Sequence, residues 1–153
     1  MRADDKNAQG LILGWVFGSM RGMKDVFEVK AFYADTDAYG VVWHGNYLRW
    51  LEAGRIYYCE KATGYNLVEL EKMDIVLPVA HLEVQYKRPV RLNDVVEVVT
   101  EVLESSRCSV TFKQTIQKDD VKYVEANVKV VAIHCNGALY RSIPDVISKI
   151  IEK

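Results

Sequence analysis

One long helical pattern, at about residues 46–62, stands among several runs that have the two-residue period of β-strands. Four apolar residues fall near one stripe of this segment: Leu48, Leu51, Tyr58 and Ala62. Such spacing predicts an amphipathic helix that packs on an apolar surface. A chain with a single long helix and many strands can bury that stripe only against a sheet, which restricts the fold to a helix-on-sheet arrangement.

The ends and the middle of the predicted helix carry specific signals. Asn46 is a candidate N-cap and Gly64 lies where a left-handed residue would end the helix. Gly54 stands in the helix interior, where glycine costs about 1 kcal/mol relative to alanine. A close approach of the helix to the backbone of the sheet would explain it. Arg55, on the next position, is predicted to be a structural ion-pair partner.

The strand patterns cover residues 25–33, 82–87, 95–103, 109–116 and 124–132. Short polar breaks at 105–107 and 118–120 predict hairpin connections between the later strands. Asn136-Gly137 predicts a type I′ turn into a short strand at 139–141, and Ser142 with Pro144 predicts a short helix to about Lys149. Since the strands after the helix follow one another through short turns, the fold class is α+β with an antiparallel sheet.

The 153 residues fit one domain. Residues 1–23 are interpreted as an N-terminal appendage and residues 24–153 as the domain. The net charge of −1 predicts no nucleic-acid partner, and the apolar run 11–17 is too short for a transmembrane segment. Three cysteines without CxxC spacing favour a reducing compartment, hence the cytoplasm. Each cysteine is expected to be a buried, small apolar residue.

The segment DTDAYGVVWHGNY, residues 35–47, concentrates the candidate chemistry. Its acids and Gly40 resemble the start of a calcium loop, but Asn46 stands where a bidentate Glu is required. The three histidines of the chain, His44, His81 and His134, lie far apart in the sequence, so no zinc motif is predicted. We therefore expect no metal site. His81 and His134, in strand patterns, are expected to be structural.

Two interpretations of residues 35–47 remain open from chemistry alone. The segment could be only a strand-to-helix connection, with the acids making Asx turns and the glycines allowing positive φ. Alternatively, an acid just before a helix N-terminus could attack a carbonyl or activate water while free backbone N–H groups bind the developing oxyanion. Gly45 would then let a substrate approach the backbone closely.

The run YADTDAYGVVWHGNYLRWLEAGR, residues 33–55, resembles the signature of hotdog-fold acyl-CoA thioesterases of the 4-hydroxybenzoyl-CoA thioesterase and YbgC type. VQYKRPVRLNDVVEV, residues 84–98, is also similar to that family. The resemblance covers roughly residues 25–142. It implies a long central helix wrapped by a curved antiparallel sheet, and hydrolysis of an acyl-CoA thioester to a carboxylic acid and free CoA.

The resemblance also implies roles for individual residues. Asp37 corresponds to the catalytic carboxylate, as nucleophile or general base, and Asp35 is expected to order the loop. The backbone N–H groups at His44 and Gly45 would polarise the thioester carbonyl. Residues expected to bind substrate are Tyr39, Trp43, Tyr47, Lys87, Arg88 and Arg91. Tyr39 would narrow the pocket, whereas Trp43 and Tyr47 could equally be core residues. Lys87, Arg88 and Arg91 would bind CoA phosphates or else form a solvated edge.

The family further implies a homodimer or homotetramer with active sites between protomers, and no cofactor beyond the CoA of the substrate. Three function classes remain distinct. The chain could be a thioesterase, a non-catalytic acyl-CoA-binding or scaffold protein of the same fold, or a hydratase/dehydratase. The His-Phe-Pro signature of the hydratases and dehydratases is absent from this sequence. The acyl group is left open, as is an acyl carrier protein in place of CoA.

Overall fold

The computed structural model describes residues 12–15 and 23–152. The strands are β1 Ile12–Trp15, β2 Lys24–Lys30, β3 Val79–Tyr86, β4 Val95–Ser105, β5 Ser109–Lys118 and β6 Val121–Val131, and the helices are α1 Asn46–Thr63, α2 Leu67–Lys72 and α3 Asp145–Ile151. Most of the predicted appendage, residues 1–11 and 16–22, lies outside the described residues. The appendage therefore stays a prediction, although β1 within it pairs with β2.

The sheet is antiparallel throughout, in the order β1-β2-β4-β5-β6-β3. Helix α1 packs across it, and the core between them includes Leu51 and Trp50 of the helix with Val96, Val98 and Ile116 of the sheet. A second part of the core joins Tyr58 of α1 to Phe112 of β5. The predicted α+β class and the helix-on-sheet packing are confirmed.

Gly54 explains how closely helix and sheet approach. A Cβ built at this position would lie 2.7 Å from Oγ1 of Thr100 and 3.0 Å from Nε2 of Gln114. Both of these side chains are fully buried under the helix. The helix does approach the sheet closely, but the nearest atoms belong to the side chains of Thr100, Gln114 and Val98 rather than to the predicted sheet backbone.

The helix ends differ slightly from the prediction. Gly64 ends α1 in the left-handed conformation, with φ 79°, as predicted. Gly45 is the N-cap residue, and Asn46 is the first residue of the helix. The N-cap prediction for Asn46 is wrong because its side-chain amide donates instead to the carbonyl oxygen of Asp35, at 2.8 Å.

The hairpin connection predicted at 118–120 is confirmed, whereas the turn type predicted at Asn136-Gly137 is not. Asp119 and Asp120 both have positive φ, 50° and 61°, in the two-residue β5–β6 connection, which is the conformation of a type I′ turn. In Asn136-Gly137 only the glycine has positive φ, so the predicted type I′ turn is wrong. The strand predicted after it is reduced to a single bridge between Ile133 and Leu139.

Helix α2 was not predicted from the sequence. Its start carries a capping box, in which Asn66 Oδ1 accepts from the N–H of Glu69 and Glu69 Oε2 accepts from the N–H of Asn66. This pattern was present in the sequence, but six residues are too few for a clear helical period. The predicted first strand is also shorter than expected, because it ends at Lys30 and residues 33–35 form a 3-10 turn.

Candidate active site

Asp37 opens a tight turn that precedes α1. Its N–H donates to the carbonyl of Val41 and its carbonyl accepts from the N–H of Gly40, each at 3.0 Å. Gly40 has φ 71°, the left-handed conformation that glycine adopts most easily. The carboxylate oxygen Oδ1 accepts the N–H of Tyr39 at 2.8 Å. Within the described residues Oδ2 accepts no hydrogen bond, so one oxygen fixes the side chain and the other is available for chemistry.

Asp35 holds the connection between this turn and the helix. The residue is 4% exposed, and its Oδ2 accepts the N–H of Phe32 at 2.8 Å. Its carbonyl accepts two further hydrogen bonds, from the N–H of Trp43 and from the amide of Asn46, both at 2.8 Å. A buried carboxylate used entirely for backbone contacts suits a residue that orders the loop.

The N-terminus of α1 presents donors without protein acceptors. The carbonyl of Trp43 accepts the N–H of Asn46 at 2.9 Å. In the described part of the chain, no group accepts a hydrogen bond from the N–H of His44 or Gly45. The first N–H groups of a helix, with its dipole behind them, can bind a negatively charged oxygen. This end of α1 can therefore stabilise an oxyanion.

The backbone of Gly45 lies against the ring of Trp43. A Cβ on Gly45 would lie within 2.2 Å of the Trp43 ring. The indole, which is 48% exposed, thus covers the place where a substrate was expected to approach the Gly45 backbone. Trp43 has to shift if a ligand is to contact this face of Gly45.

A cavity of about 270 Å³ opens beside this helix end. Its walls come from seven residues: Val42, His44, Tyr47, Tyr86, Lys87, Arg88 and Pro89. Four of the predicted site residues therefore share one cavity, and Asp37, Trp43 and Gly45 belong to the loop and helix end that border it. Tyr39 is 88% exposed on the tight turn and does not line this cavity, so the prediction that it narrows the pocket finds no support in this conformation.

Two tyrosines of the cavity wall form hydrogen bonds with main-chain groups. Tyr47 is a core residue whose Oη accepts the N–H of Val90 at 2.9 Å. Burial, with smaller contributions that include the charge of Asp37, raises the pKa of Tyr47. Tyr86, at the end of β3, donates from Oη to the carbonyl of His44 at 2.9 Å and contacts the Tyr47 ring edge-on. Sequence analysis missed Tyr86, since its distance in the sequence from His44 gave no signal.

The predicted basic residues occupy different environments. Lys87 forms a salt bridge with Glu125, and Lys122 also binds this carboxylate. Arg88 lines the cavity, while Arg91 pairs through its backbone with Val41 of the loop. Within the described residues neither arginine takes part in an ion pair. The backbone N–H of Arg91 and, more weakly, its charge help to lower the pKa of Asp94, so Arg88 has the less engaged guanidinium group of the two.

The described residues include no grouping of three or more His, Cys, Asp or Glu side chains that could hold a metal ion. In the same part of the chain, no helix combines the length and apolar character needed to cross a membrane. The arrangement that remains is a carboxylate beside a helix N-terminus, with basic side chains at the mouth of a small cavity.

Comparison with known proteins identifies the family of this chain. The family model of the Thioesterase superfamily matches residues 39–125. The chain belongs to this superfamily. Acyl-CoA thioesterase YbgC from Haemophilus influenzae is 32% identical over 107 residues, which cover 70% of this chain and 79% of the relative.

Solved structures extend the likeness to the whole thioesterase fold. A hypothetical protein from Aquifex aeolicus superposes with a TM-score of 0.77 at 28% identity, covering 83% of this chain and 98% of that one. DHNA-CoA thioesterase from Staphylococcus aureus gives a TM-score of 0.71 at 30% identity, covering 77% and 80%. The hotdog fold and the thioesterase family expected from residues 33–55 and 84–98 are confirmed.

Proposed function

We propose that this chain hydrolyses acyl-CoA thioesters, with the Asp37 carboxylate acting on a thioester carbonyl whose oxygen binds the free N–H groups of His44 and Gly45. The proposal is supported by two features of the segment before α1. Among the described residues, one oxygen of the Asp37 carboxylate and the N–H groups of His44 and Gly45 have no hydrogen-bond partner. The charge of Asp37 also contributes to the raised pKa of Tyr47, in the first turn of α1, where burial is the largest cause. Membership of the thioesterase superfamily and the named relatives support the same reaction.

Two chemical routes fit the geometry. The carboxylate can attack the thioester carbon and form an anhydride that water then hydrolyses, or it can remove a proton from a water molecule that attacks. In both routes the carbonyl oxygen becomes negative in the transition state, and backbone N–H groups at a helix N-terminus stabilise that charge. The products are a carboxylic acid and the CoA thiol, and the route requires no metal or cofactor.

The CoA part of the substrate would lie at the open side of the cavity. Arg88 and Arg91 can bind phosphate oxygens in a bidentate manner, and Lys87 contributes a further positive charge that Glu125 partly balances. An acyl carrier protein would present the same thioester on a phosphopantetheine arm, so it stays an alternative donor.

A homodimer formed through β3 would complete the site. β3 pairs with β6 on one side only and is the last strand of the sheet. Val79, Leu82 and Tyr86 of this strand are each at least 41% exposed. An open edge with exposed apolar side chains suits pairing with a second copy of the same strand. A tetramer of two such dimers, and location in the cytoplasm, are further parts of this proposal that rest on the family resemblance and on three free cysteines.

The competing function is a protein of the same fold that binds acyl-CoA without hydrolysing it. Its distinguishing property is retention of CoA esters with no release of thiol. A hydratase or dehydratase is less well supported, because the sequence lacks the His-Phe-Pro signature and Asp37 corresponds to the catalytic carboxylate of the thioesterases.

The decisive experiment measures thiol release from a panel of acyl-CoAs, from short aliphatic through long-chain to benzoyl-type, for wild type and Asp37→Asn. We expect the variant to lose about 10²–10⁴-fold in rate on the preferred substrate, the range that a general base supplies. Asp119→Asn is a matched control, because Asp119 lies in the β5–β6 turn and should retain the wild-type rate. His44→Ala should keep most activity, since the proposed role of His44 belongs to its backbone.

Wild-type activity that survives in Asp37→Asn would show that another residue supplies the base or nucleophile. A wild-type protein that binds CoA esters but releases no thiol from any of them would establish the binding function instead.

A further inference from the structure

The two free donors lie in a tight turn of residues 43–46, called here the donor turn. The carbonyl of Trp43 accepts the N–H of Asn46 at 2.9 Å, so His44 and Gly45 occupy the central positions of a β-turn. The hydrogen bond that closes such a turn joins its first and last residues and leaves the N–H groups of the two central residues unused. The direction of these donors therefore depends on how the whole turn is held.

One main-chain oxygen holds both ends of the donor turn. The carbonyl oxygen of Asp35 accepts the N–H of Trp43 at 2.8 Å. The same oxygen accepts the side-chain amide Nδ2 of Asn46, also at 2.8 Å. A main-chain carbonyl has two lone pairs, so it can accept both hydrogen bonds. Because the turn is attached through its first and its last residue, its rotation is restricted more than a single hydrogen bond would restrict it.

The oxygen that holds the donor turn belongs to the arm of the chain that carries the candidate acid. The N–H of Asp37 donates to the carbonyl of Val41 at 3.0 Å, and the N–H of Trp43 donates to that of Asp35. These bonds make residues 35–37 one arm of a short antiparallel pair. Asp37 follows Asp35 by two residues, which an extended chain spans in about 7 Å. The side chain of Asn46 thus connects the start of α1 to the arm of Asp37.

Helix stability does not explain the asparagine at this position. Asn46 is the first residue of α1, and asparagine is one of the less favourable residues inside a helix. Its side chain is buried and donates to an oxygen 11 positions earlier in the chain. That oxygen also accepts the N–H of Trp43, so it would keep a hydrogen-bond partner without the amide. The contact of Asn46 therefore adds orientation to a carbonyl that is already satisfied.

We infer that Asn46 is a positioning residue of thioester hydrolysis, which holds the donor turn in the orientation towards Asp37 that the reaction requires. The inference rests on the proposed function and deepens it. In that function the donors bind the oxygen of the thioester carbonyl while Asp37 acts on its carbon, about 1.2 Å away. Both groups have to be placed correctly at the same time. Asn46 does not touch the reacting atoms, and it acts through the carbonyl of Asp35.

Steady-state kinetics of Asn46→Leu test the inference first. Leucine removes the amide and keeps a side chain of similar size. On the best substrate of the acyl-CoA panel, kcat should fall by about ten- to a hundredfold, because a misplacement of about 1 Å costs up to roughly that factor. KM should stay within about twofold of wild type, since the lost interaction acts mainly in the transition state. A variant that is merely less stable would not separate kcat from KM in this way.

The carbonyl stretch of a bound ligand measures the donors directly. The probe is the ketone analogue of the best substrate, in which CH₂ replaces the thioester sulfur, so that no thiol can leave. With ¹³C in the carbonyl group, infrared difference spectra isolate its band, and hydrogen bonds from N–H groups lower the frequency of this band. At saturating probe, the band should lie at a lower frequency in wild type than in Asn46→Leu. Equal frequencies in the two proteins would overturn the inference.

Asn66→Leu is the matched control. Asn66 Oδ1 accepts the N–H of Glu69 at 2.9 Å at the start of α2, and Asn66 does not line the cavity beside the donor turn. The loss of this helix cap should lower stability while kcat and the carbonyl band stay as in wild type. Equal losses of kcat in Asn66→Leu and Asn46→Leu would show a general effect of stability and would overturn the positioning role.

A second substitution covers the case in which Asn46→Leu does not fold. Asn46→Asp keeps the shape of the side chain without its N–H donor, and a carboxylate is favourable near a helix N-terminus. This variant should show the same loss of kcat and the same shift of the carbonyl band to higher frequency. Wild-type kcat in a folded Asn46→Asp would overturn the inference.

The outcomes separate this inference from the proposed function. A wild type that hydrolyses at least one acyl-CoA, with a kcat that Asn46→Leu retains, overturns the positioning role and leaves the thioesterase function intact. A loss confined to KM would mean that Asn46 contributes to substrate binding, which also overturns the inference. A wild type that releases no thiol from any acyl-CoA contradicts the proposed function itself.

Discussion

The hydroxyl of Tyr86 donates a 2.9 Å hydrogen bond to the main-chain carbonyl of His44. The carbonyl of His44 and the N–H of Gly45 belong to the same planar peptide unit and point in opposite directions. By fixing the carbonyl, Tyr86 therefore also fixes the direction of the N–H that is proposed to bind the oxyanion. A residue 42 positions away in the sequence thus orients the centre of the candidate site.

Tyr86→Phe should lower kcat while changing KM little. Complete loss of an oxyanion donor costs about 10²–10³-fold in kcat, and loss of its orientation should cost less, on the order of tenfold. Steady-state kinetics on the preferred acyl-CoA measure the effect. A change confined to KM would mean that Tyr86 contacts the substrate rather than orienting the peptide.

Tyr140→Phe provides a matched control for that variant. The Tyr140 hydroxyl also donates to a main-chain carbonyl, that of Asp74, at 2.9 Å, but it belongs to the segment after β6 and does not line the cavity at the helix N-terminus. Its loss should leave kcat unchanged. An equal loss of kcat in both variants would indicate a general loss of stability.

The position of Gly54 leads to a prediction about stability. Alanine at this position would gain about 1 kcal/mol of helix propensity, yet its Cβ would lie 2.7 Å from Oγ1 of the buried Thr100. Overpacking of this kind costs about 1–3 kcal/mol, so Gly54→Ala should lower the free energy of unfolding. Urea denaturation measures this change as a lower midpoint concentration of urea, with an unchanged dependence of the free energy of unfolding on urea. A higher midpoint would show that α1 can move away from the sheet.

Local sequence patterns predicted the bounds of the main helix better than the hydrogen-bond partners of polar side chains on it. Helix α1 was predicted within one residue of each end, because its apolar stripe and Gly64 are local signals. The N-cap role predicted for Asn46 is wrong, and the described residues show no salt bridge of Arg55. Asp35 and Gln114 form hydrogen bonds with these two side chains from 11 and 59 residues away. Polar side chains near a helix have several suitable partners, and only the tertiary arrangement selects one.

The burial of the three cysteines was also predicted only in part, because it depends on the tertiary structure. Cys59 is buried as predicted, but Cys108 is half-buried and Cys135 is exposed, so the prediction is wrong for Cys135. Burial raises the pKa of Cys59 to about 12. Partial burial of the thiol and the neighbouring Asp74 also raise the pKa of Cys135, but this cysteine is exposed. In the folded protein at pH 8, a thiol reagent should therefore label Cys135 and leave Cys59 unlabelled until denaturant is added. Mass spectrometry of digested protein after timed labelling would locate the modified residues, and early modification of Cys59 would show that α1 separates readily from the core.

Glu125 links the stability of the sheet to the basic edge of the site. The ammonium groups of Lys122 and Lys87 lower the pKa of Glu125 to about 2, below the value near 4.3 expected in an unfolded chain. A carboxyl group whose pKa is lower in the folded state stabilises the fold when it is ionised. This contribution is fully present above the unfolded pKa and is lost as the pH falls towards about 2.

Glu125→Gln should thus be less stable than wild type at pH 6, and the difference between their melting temperatures should shrink between pH 5 and 3. Glu83→Gln is a suitable control on the neighbouring strand, because no ion pair of Glu83 is found among the described residues, and it should show no such convergence. If the melting temperatures of wild type and Glu125→Gln differ by the same amount at every pH, the charge of Glu125 does not contribute to its effect on stability.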